Sequence, residues 1–332
     1  MTGHDHHHDH DHDDHGHEKG ARGHSHDHHG HSHGIGGHSH APASFGRAFA
    51  IGIGLNAGFV AAEVVSGILA HSVALLADAG HNLGDVIGLG GAWLASWLGT
   101  RSPSSQYTYG LRRSSVLAAL ANAIILLVVT GGIAWEAILR LITPAPVHGM
   151  TIMLVAIGGI FVNGITAWLF MSGRKGDLNI KAAFLHMAAD AMLALGVAVA
   201  GAVIMMTGWL RLDPAVSLIL SIVIVLGTWS LLRDAVKLSL DAVPPGIDQQ
   251  AVEAYLLSLP GISEVHDLHI WGLSTTETAL TAHLVSDRMQ NVDLLERVSH
   301  DVQDRFGIGH ATIQLETPEA AHRCELRPAH IV

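Results

Sequence analysis

The sequence predicts an all-α membrane protein with six transmembrane helices, followed by a C-terminal cytoplasmic ferredoxin-like α+β domain. Three observations carry that reading. Only 14% of the 332 residues are charged and 49% are hydrophobic, with a mean hydropathy of +0.35, whereas a soluble domain carries roughly 25% charged residues. Six apolar runs, at about 46–70, 73–98, 114–139, 150–171, 182–208 and 213–232, each come near the ~20 residues that cross a bilayer. After "DAVPPG" (Asp241 to Gly246) the composition turns soluble.

Residues 1–44 come first, a polar His/Asp-rich segment without apolar periodicity. It contains 16 of the 27 histidines and nothing from which to build a core, so it is expected to be a disordered cytoplasmic tail without metal. The formal net charge of −11 is unevenly spread. Within residues 1–40, seven acids (Asp5, Asp9, Asp11, Asp13, Asp14, Glu18, Asp27) face two bases (Lys19, Arg22), a balance of −5. His4, His6, His7, His8, His10 and His12 are candidate low-affinity metal ligands. Their geometry is not fixed, so each bound ion bears an ordering cost, while the acids draw cations toward the tail. No basic n-region leads into a short apolar core, so no cleaved signal peptide is expected. No basic patch with interleaved aromatics points to nucleic acid. The single cysteine, Cys324, excludes an internal disulfide and a thiolate-rich zinc site.

The six spans follow, and their flanking charges set the orientation. With a cytoplasmic N-terminus, that side holds Arg47, Arg101, Arg112, Arg113, Arg174, Lys175, Lys181, Arg233 and Lys237. The other side holds Arg140 and Arg211. Nine against two places both termini of this multi-pass membrane protein in the cytoplasm. In the soluble part, "DQQAVEAYLLSL" has a helical pattern, "SEVHDLHIWGL" and "TALTAHLVS" read as strands, "VDLLERVSHDVQDRF" as a helix and "ATIQLET" as a strand. That α-β-β-α-β order suggests a ferredoxin-like domain over 241–317 after a membrane domain over 45–240. Residues 318–332 read as a loose tail.

Ionisable residues inside apolar spans are functional candidates by default. Span 2 contains His81 and Asp85 at i, i+4, on one helix face, with Asp78 about one turn earlier. Span 5 repeats the spacing with His186 and Asp190. Two imidazoles and two carboxylates from two helices suit tetrahedral Zn2+. Single buried pairs of this kind also arise as structural hydrogen bonds; two matching pairs favour metal. Asn56, Asn122 and Asn163 are read as packing or interhelical hydrogen-bonding residues. Glu63 needs a partner or a proton, and the "GLGG" run at Gly88–Gly91 allows close helix approach.

The stretches "HSVALLADAGHNLGD", "YTYGLRRSSVLAALANA", "DLNIKAAFLHMAADAMLALGV" and "VHDLHIWGLS...LTAHL...HATIQLE" together resemble the cation diffusion facilitator family, in its bacterial zinc/cadmium/cobalt efflux branch. The resemblance spans about residues 45–317. It implies a homodimer, each subunit with six transmembrane helices and a cytoplasmic domain, exporting divalent metal from the cytoplasm in exchange for protons. It places the family's transport site on His81, Asp85, His186 and Asp190, the ligand form associated with zinc preference. It implies cytoplasmic metal ligands at His266, His283, His310 and Glu316. His269 follows His266 by three residues, and strand alternation would point the two apart. Relatives with a further site between spans 2 and 3 use Asp and His there. "GTRSPSSQYTYGLRR" has neither, so no such site is expected. The resemblance also implies a pair between Arg113 and Asp241.

The expected activity is therefore divalent metal efflux, a Zn2+/H+ antiport by alternating access, with Zn2+ as substrate and as regulatory ligand. Alternatives are a broader Cd2+/Co2+/Ni2+ exporter, or a membrane metal sensor that binds without flux. An enzyme is not expected: no HExxH motif occurs, and four protein ligands would close the open position that metal catalysis needs.

Overall fold

The computed structural model describes residues 47–171, 178–286 and 292–326. The histidine-rich tail with its candidate ligands, and Arg174 and Lys175, lie outside the described residues.

Six long helices form the first part: α1 (Arg47–Ala70), α2 (Val73–Gly99), α3 (Ser114–Ile142), α4 (Gly149–Met171), α5 (Leu178–Thr207) and α6 (Leu212–Ser239). Among the described residues, α1 and α3 to α6 are long and apolar enough to cross a membrane. The sixth, α2, has the same length but carries Asp78, His81, Asn82 and Asp85, which dilute its hydropathy. α6 runs seven residues past the apolar run that ended at 232, because "RDAVKLS" continues the helix as it leaves the apolar zone.

The inner faces pack around Leu75, Ile152, Val197 and Leu220. Leu117, Val128, Phe161 and Leu226 are exposed on the outer faces, as lipid-facing side chains are. α4 and α5 meet backbone to backbone. A Cβ on Gly201 would lie 2.7 Å from Met153 N, and one on Gly149 would lie 2.8 Å from Gly201 O. Small residues are what permit this approach where no hydrophobic force drives helices together.

The start of α2 is fixed from another helix. Ser72 is its N-cap, accepting from Leu75 N at 3.1 Å. Buried Asp213 of α6 accepts from Val73 N at 2.9 Å and from the Ser72 hydroxyl. Both satisfy backbone donors that a helix start leaves open, and the carboxylate suits the positive end of the helix dipole.

The second part follows the expected order: α7 (Gln249–Leu257), β1 (Ile262–Gly272), β2 (Thr278–Ser286), α8 (Val292–Phe306), β3 (His310–Glu316) and a short α9 (Pro318–Ala321). β1 and β2 are antiparallel, β2 and β3 parallel, giving the order β1-β2-β3. The parallel pair needs a crossover, which α8 supplies. Val252 and Leu256 of α7, Leu280 and Leu284 of β2, and Val298 and Val302 of α8 form the core. Asp248 caps α7 by accepting from Gln250 N at 2.9 Å.

Contacts tie this domain to one end of the helices. Arg112 meets Glu277 at 2.8 Å, and Arg113 pairs with Asp241. Thr275 N donates to Ser115 Oγ at 3.1 Å. The α2–α3 connection and the end of α6 therefore lie on the side of the soluble domain. Arg140 sits at the other end of α3, where it donates to the His71 carbonyl.

Candidate metal centres

The helical period brings His81 and Asp85 onto one face of α2, and His186 and Asp190 onto one face of α5. The two faces meet. His81 Nε2 lies 3.2 Å from Asp190 Oδ1 and 4.0 Å from Asp85 Oδ2 on its own helix. His186 Nε2 lies 3.2 Å from Asp85 Oδ2 and 3.7 Å from Asp190 Oδ2. Each imidazole is thus closer to the carboxylate of the opposite helix. The rings stand edge to face with centroids 5.9 Å apart. His81, Asp85 and Asp190 offer ligand atoms all within 4.8 Å of one another, and His186 closes the group from the more open side. Two buried atoms, His81 Nδ1 and Asp190 Oδ2, have no hydrogen-bond partner. Leaving such atoms unsatisfied is costly; a cation among the carboxylates would offset that cost for Asp190 Oδ2.

A second polar group lies behind this site. Glu63 of α1 is fully buried and accepts from Asn82 Nδ2 at 3.2 Å, and its carboxyl meets that of Asp78. The partner that Glu63 requires is therefore found on α2. Asn56 reaches Met187 Sδ at 3.7 Å, an interhelical contact of the expected kind. Asn122 packs against Gly88, where a Cβ would lie 2.9 Å from its Nδ2. Asn163 is buried.

The soluble domain holds another cluster. His266 of β1 faces His283 across the β1–β2 register, and their rings stand edge to face at 5.1 Å. Glu316, at the end of β3, reaches both: Oε2 is 3.3 Å from His266 Nε2, and Oε1 is 3.1 Å from His283 Nδ1. Cys324 Sγ lies 3.8 Å from the same His283 Nδ1. His266, His283, Glu316 and Cys324 offer ligand atoms within 4.8 Å of one another. Both ring nitrogens of His266 and Oε2 of Glu316 are buried without a hydrogen-bond partner. Zinc–ligand bonds of about 2.0–2.3 Å put tetrahedral ligand atoms roughly 3.3–3.6 Å apart, so this donor set fits a zinc-sized ion.

β1 is bulged between His266 and His269, with Asp267 at φ +51°. The Asp267 carboxylate is thereby brought 2.8 Å from His269 Nε2 and 3.6 Å from His283 Nε2. It faces the far side of the His283 ring, the position from which a carboxylate would orient an imidazole that binds metal. His269 pairs with Asp267 rather than joining His266. The structure does not bring His310 into this group. His310 opens β3 at the opposite end from Glu316, is exposed, and stacks edge to face on Tyr109 at 5.5 Å. Cys324 is the ligand candidate that the sequence reading missed. It stands in no metal-binding spacing, and the segment read as a loose tail instead begins with α9, capped by Thr317.

Comparison with known proteins agrees with both parts. Residues 49–238 match the cation efflux transmembrane domain, and residues 244–318 match the cytoplasmic domain of cation efflux proteins. The zinc transporter ZitB of Escherichia coli is 38% identical over 79% of this chain and 85% of its own length. The metal cation efflux system protein CzcD of Cupriavidus metallidurans is 34% identical over 83% of this chain and 88% of its own. A cadmium, cobalt and zinc/H(+)-K(+) antiporter of Bacillus subtilis is 33% identical over 80% of this chain and 87% of its own. A metal-bound C-terminal domain of the CzcD transporter is 39% identical over 21% of this chain and 99% of its own, with a TM-score of 0.20. The chain belongs to the cation efflux, or cation diffusion facilitator, family of multi-pass membrane proteins.

Proposed function

We propose that this chain exports divalent metal from the cytoplasm, with Zn2+ as the principal cargo and protons moving the other way. The reciprocal pairing of His81 with Asp190 and His186 with Asp85 between two helices carries this reading. Zinc enters from the cytoplasm and displaces protons from the four side chains. The helices then rock, opening the site to the other side, where protons displace zinc. Coordination requires neutral imidazole and ionised carboxylate, so protons and metal exclude one another. Imidazole suits the exchange because its unperturbed pKa, ~6.5, lies near physiological pH.

The protein works as a homodimer in the inner membrane with both termini in the cytoplasm, and catalyses no chemical conversion. Zinc held by His266, His283 and Glu316 acts as a regulatory ligand. A relative named for cadmium and cobalt as well as zinc supports a second reading, a broader Cd2+/Co2+/Ni2+ exporter. Purified protein in vesicles tests both. Zinc uptake should require an opposing pH gradient, and competition by Cd2+, Co2+ and Ni2+ reads the selectivity. Zinc binding without flux would replace the transporter with a sensor.

A further inference from the structure

We propose that Cys324 supplies a thiolate to the cytoplasmic cluster, completing a His266–His283–Glu316–Cys324 site for a borderline-to-soft divalent cation. Residue 324 lies beyond the segment, 244–318, that matches the family's cytoplasmic domain. Its place follows from local structure. Thr317 accepts from Ala320 N at 3.2 Å, and Pro318 presets the first turn of α9. Ala321 is buried, and Cys324 N donates to Ala321 O at 3.2 Å. The chain is folded back so that Sγ faces the inner nitrogen of His283.

A cysteine beside a histidine is weak evidence by itself. Here the adjoining donors are orphaned. His266 is 7% exposed and Glu316 5%, yet His266 Nε2 and Glu316 Oε2, 3.3 Å apart, make no hydrogen bond to each other or to any other group. Sγ, Nδ1 of His283, Nε2 of His266 and a Glu316 oxygen converge on one point that a cation would satisfy. On binding, the thiol gives its proton to water and sulfur donates an electron pair to the ion. Thiolate shifts preference toward softer ions. The cluster should therefore hold Cd2+ more tightly than its nitrogen and oxygen donors alone would, and read cytoplasmic Cd2+ as well as Zn2+. This deepens the reading of the cluster as a metal site and depends on it.

The chain has one cysteine, so every thiol signal has one source. Full-length protein in detergent is titrated with Cd2+ while the ultraviolet thiolate-to-metal charge-transfer band is followed. Maleimide alkylation is timed with and without Zn2+. The band should saturate at one ion per chain and vanish in Cys324→Ser. Zinc at ten times its Kd should slow alkylation about tenfold, by occupancy alone. Both effects should be lost in His266→Ala/His283→Ala, and in the milder Glu316→Gln should weaken. They should persist in Asp85→Ala/Asp190→Ala. A band that survives His266→Ala/His283→Ala overturns the proposal. So does zinc that is counted at the cluster yet leaves alkylation unchanged, a result that spares the cluster as a metal site. Zinc stoichiometry unaltered by His266→Ala/His283→Ala removes the cluster reading itself.

Discussion

His81 on α2 lies 3.2 Å from Asp190 on α5, closer than to Asp85 on its own helix at 4.0 Å. The site is therefore shared between two helices rather than assembled on either one. A relative shift of α2 and α5 would part the His81–Asp190 and His186–Asp85 contacts together. Binding and helix movement are thus coupled through the same side chains, as alternating access requires.

The close approach of α4 and α5 should tolerate no added side chain at Gly201. A Cβ there would lie 2.7 Å from the backbone nitrogen of Met153, which cannot move aside as a flexible side chain does. Gly201→Ala should lower stability in detergent by about 1–3 kcal/mol, the range for overpacking. Gly131→Ala, with nothing within 4 Å of its new Cβ, should be neutral or slightly stabilising. Denaturant unfolding of the two variants checks the contrast.

The ties between the helices and the soluble domain should be individually weak. Arg113 and Asp241 are 47% and 56% exposed, and exposed pairs are worth about 0.2–1 kcal/mol. A double-mutant cycle on Arg113→Ala and Asp241→Ala should give a coupling within that range, falling as salt rises. A coupling several times larger would mean that the pair is desolvated in the working assembly.

In the soluble domain, Tyr255 donates to Asp301 Oδ2 at 2.6 Å. Burial, reinforced by that hydrogen bond, pushes its phenol up from 10.0 to about 12. The folded state therefore holds this proton more tightly than the unfolded chain. The associated stability is intact below about pH 10 and is lost as pH rises toward 12. Asp301→Asn should lower the titration, followed by phenolate absorbance. With three tyrosines in the chain, one late component should be resolvable.

Much of this was legible because helices impose a fixed period. His81/Asp85 and His186/Asp190 could be placed on shared faces from spacing alone, and the soluble element order followed from alternating runs. What escaped the sequence depends on long-range or irregular geometry. The Asp213 cap on α2 joins residues 140 apart. The bulge at Asp267 redirects a carboxylate that regular alternation would place elsewhere. Cys324 reaches His283 only because a capped turn reverses the chain after β3. His310 carried a family-based expectation, but β3 holds it at the far end from Glu316.

The histidine-rich tail should matter for capture rather than for passage. Deleting residues 1–40 should leave the maximal zinc flux largely unchanged while reducing flux at limiting zinc. Vesicle uptake across a range of zinc concentrations distinguishes the two effects. Complete loss of flux would place part of the transport path in the tail.

We propose that the two His/Asp pairs move the ion. Zinc flux into vesicles under an imposed pH gradient, compared between the unaltered chain and Asp85→Ala/Asp190→Ala, tests it most directly. Loss of even an outer-shell partner costs roughly 10–100-fold in metal affinity or activity, so removing two direct ligands should reduce flux by at least about 100-fold. The variant should still fold and retain zinc at the soluble domain. Unchanged zinc flux in that variant would mean that the ion crosses by a route without these four side chains.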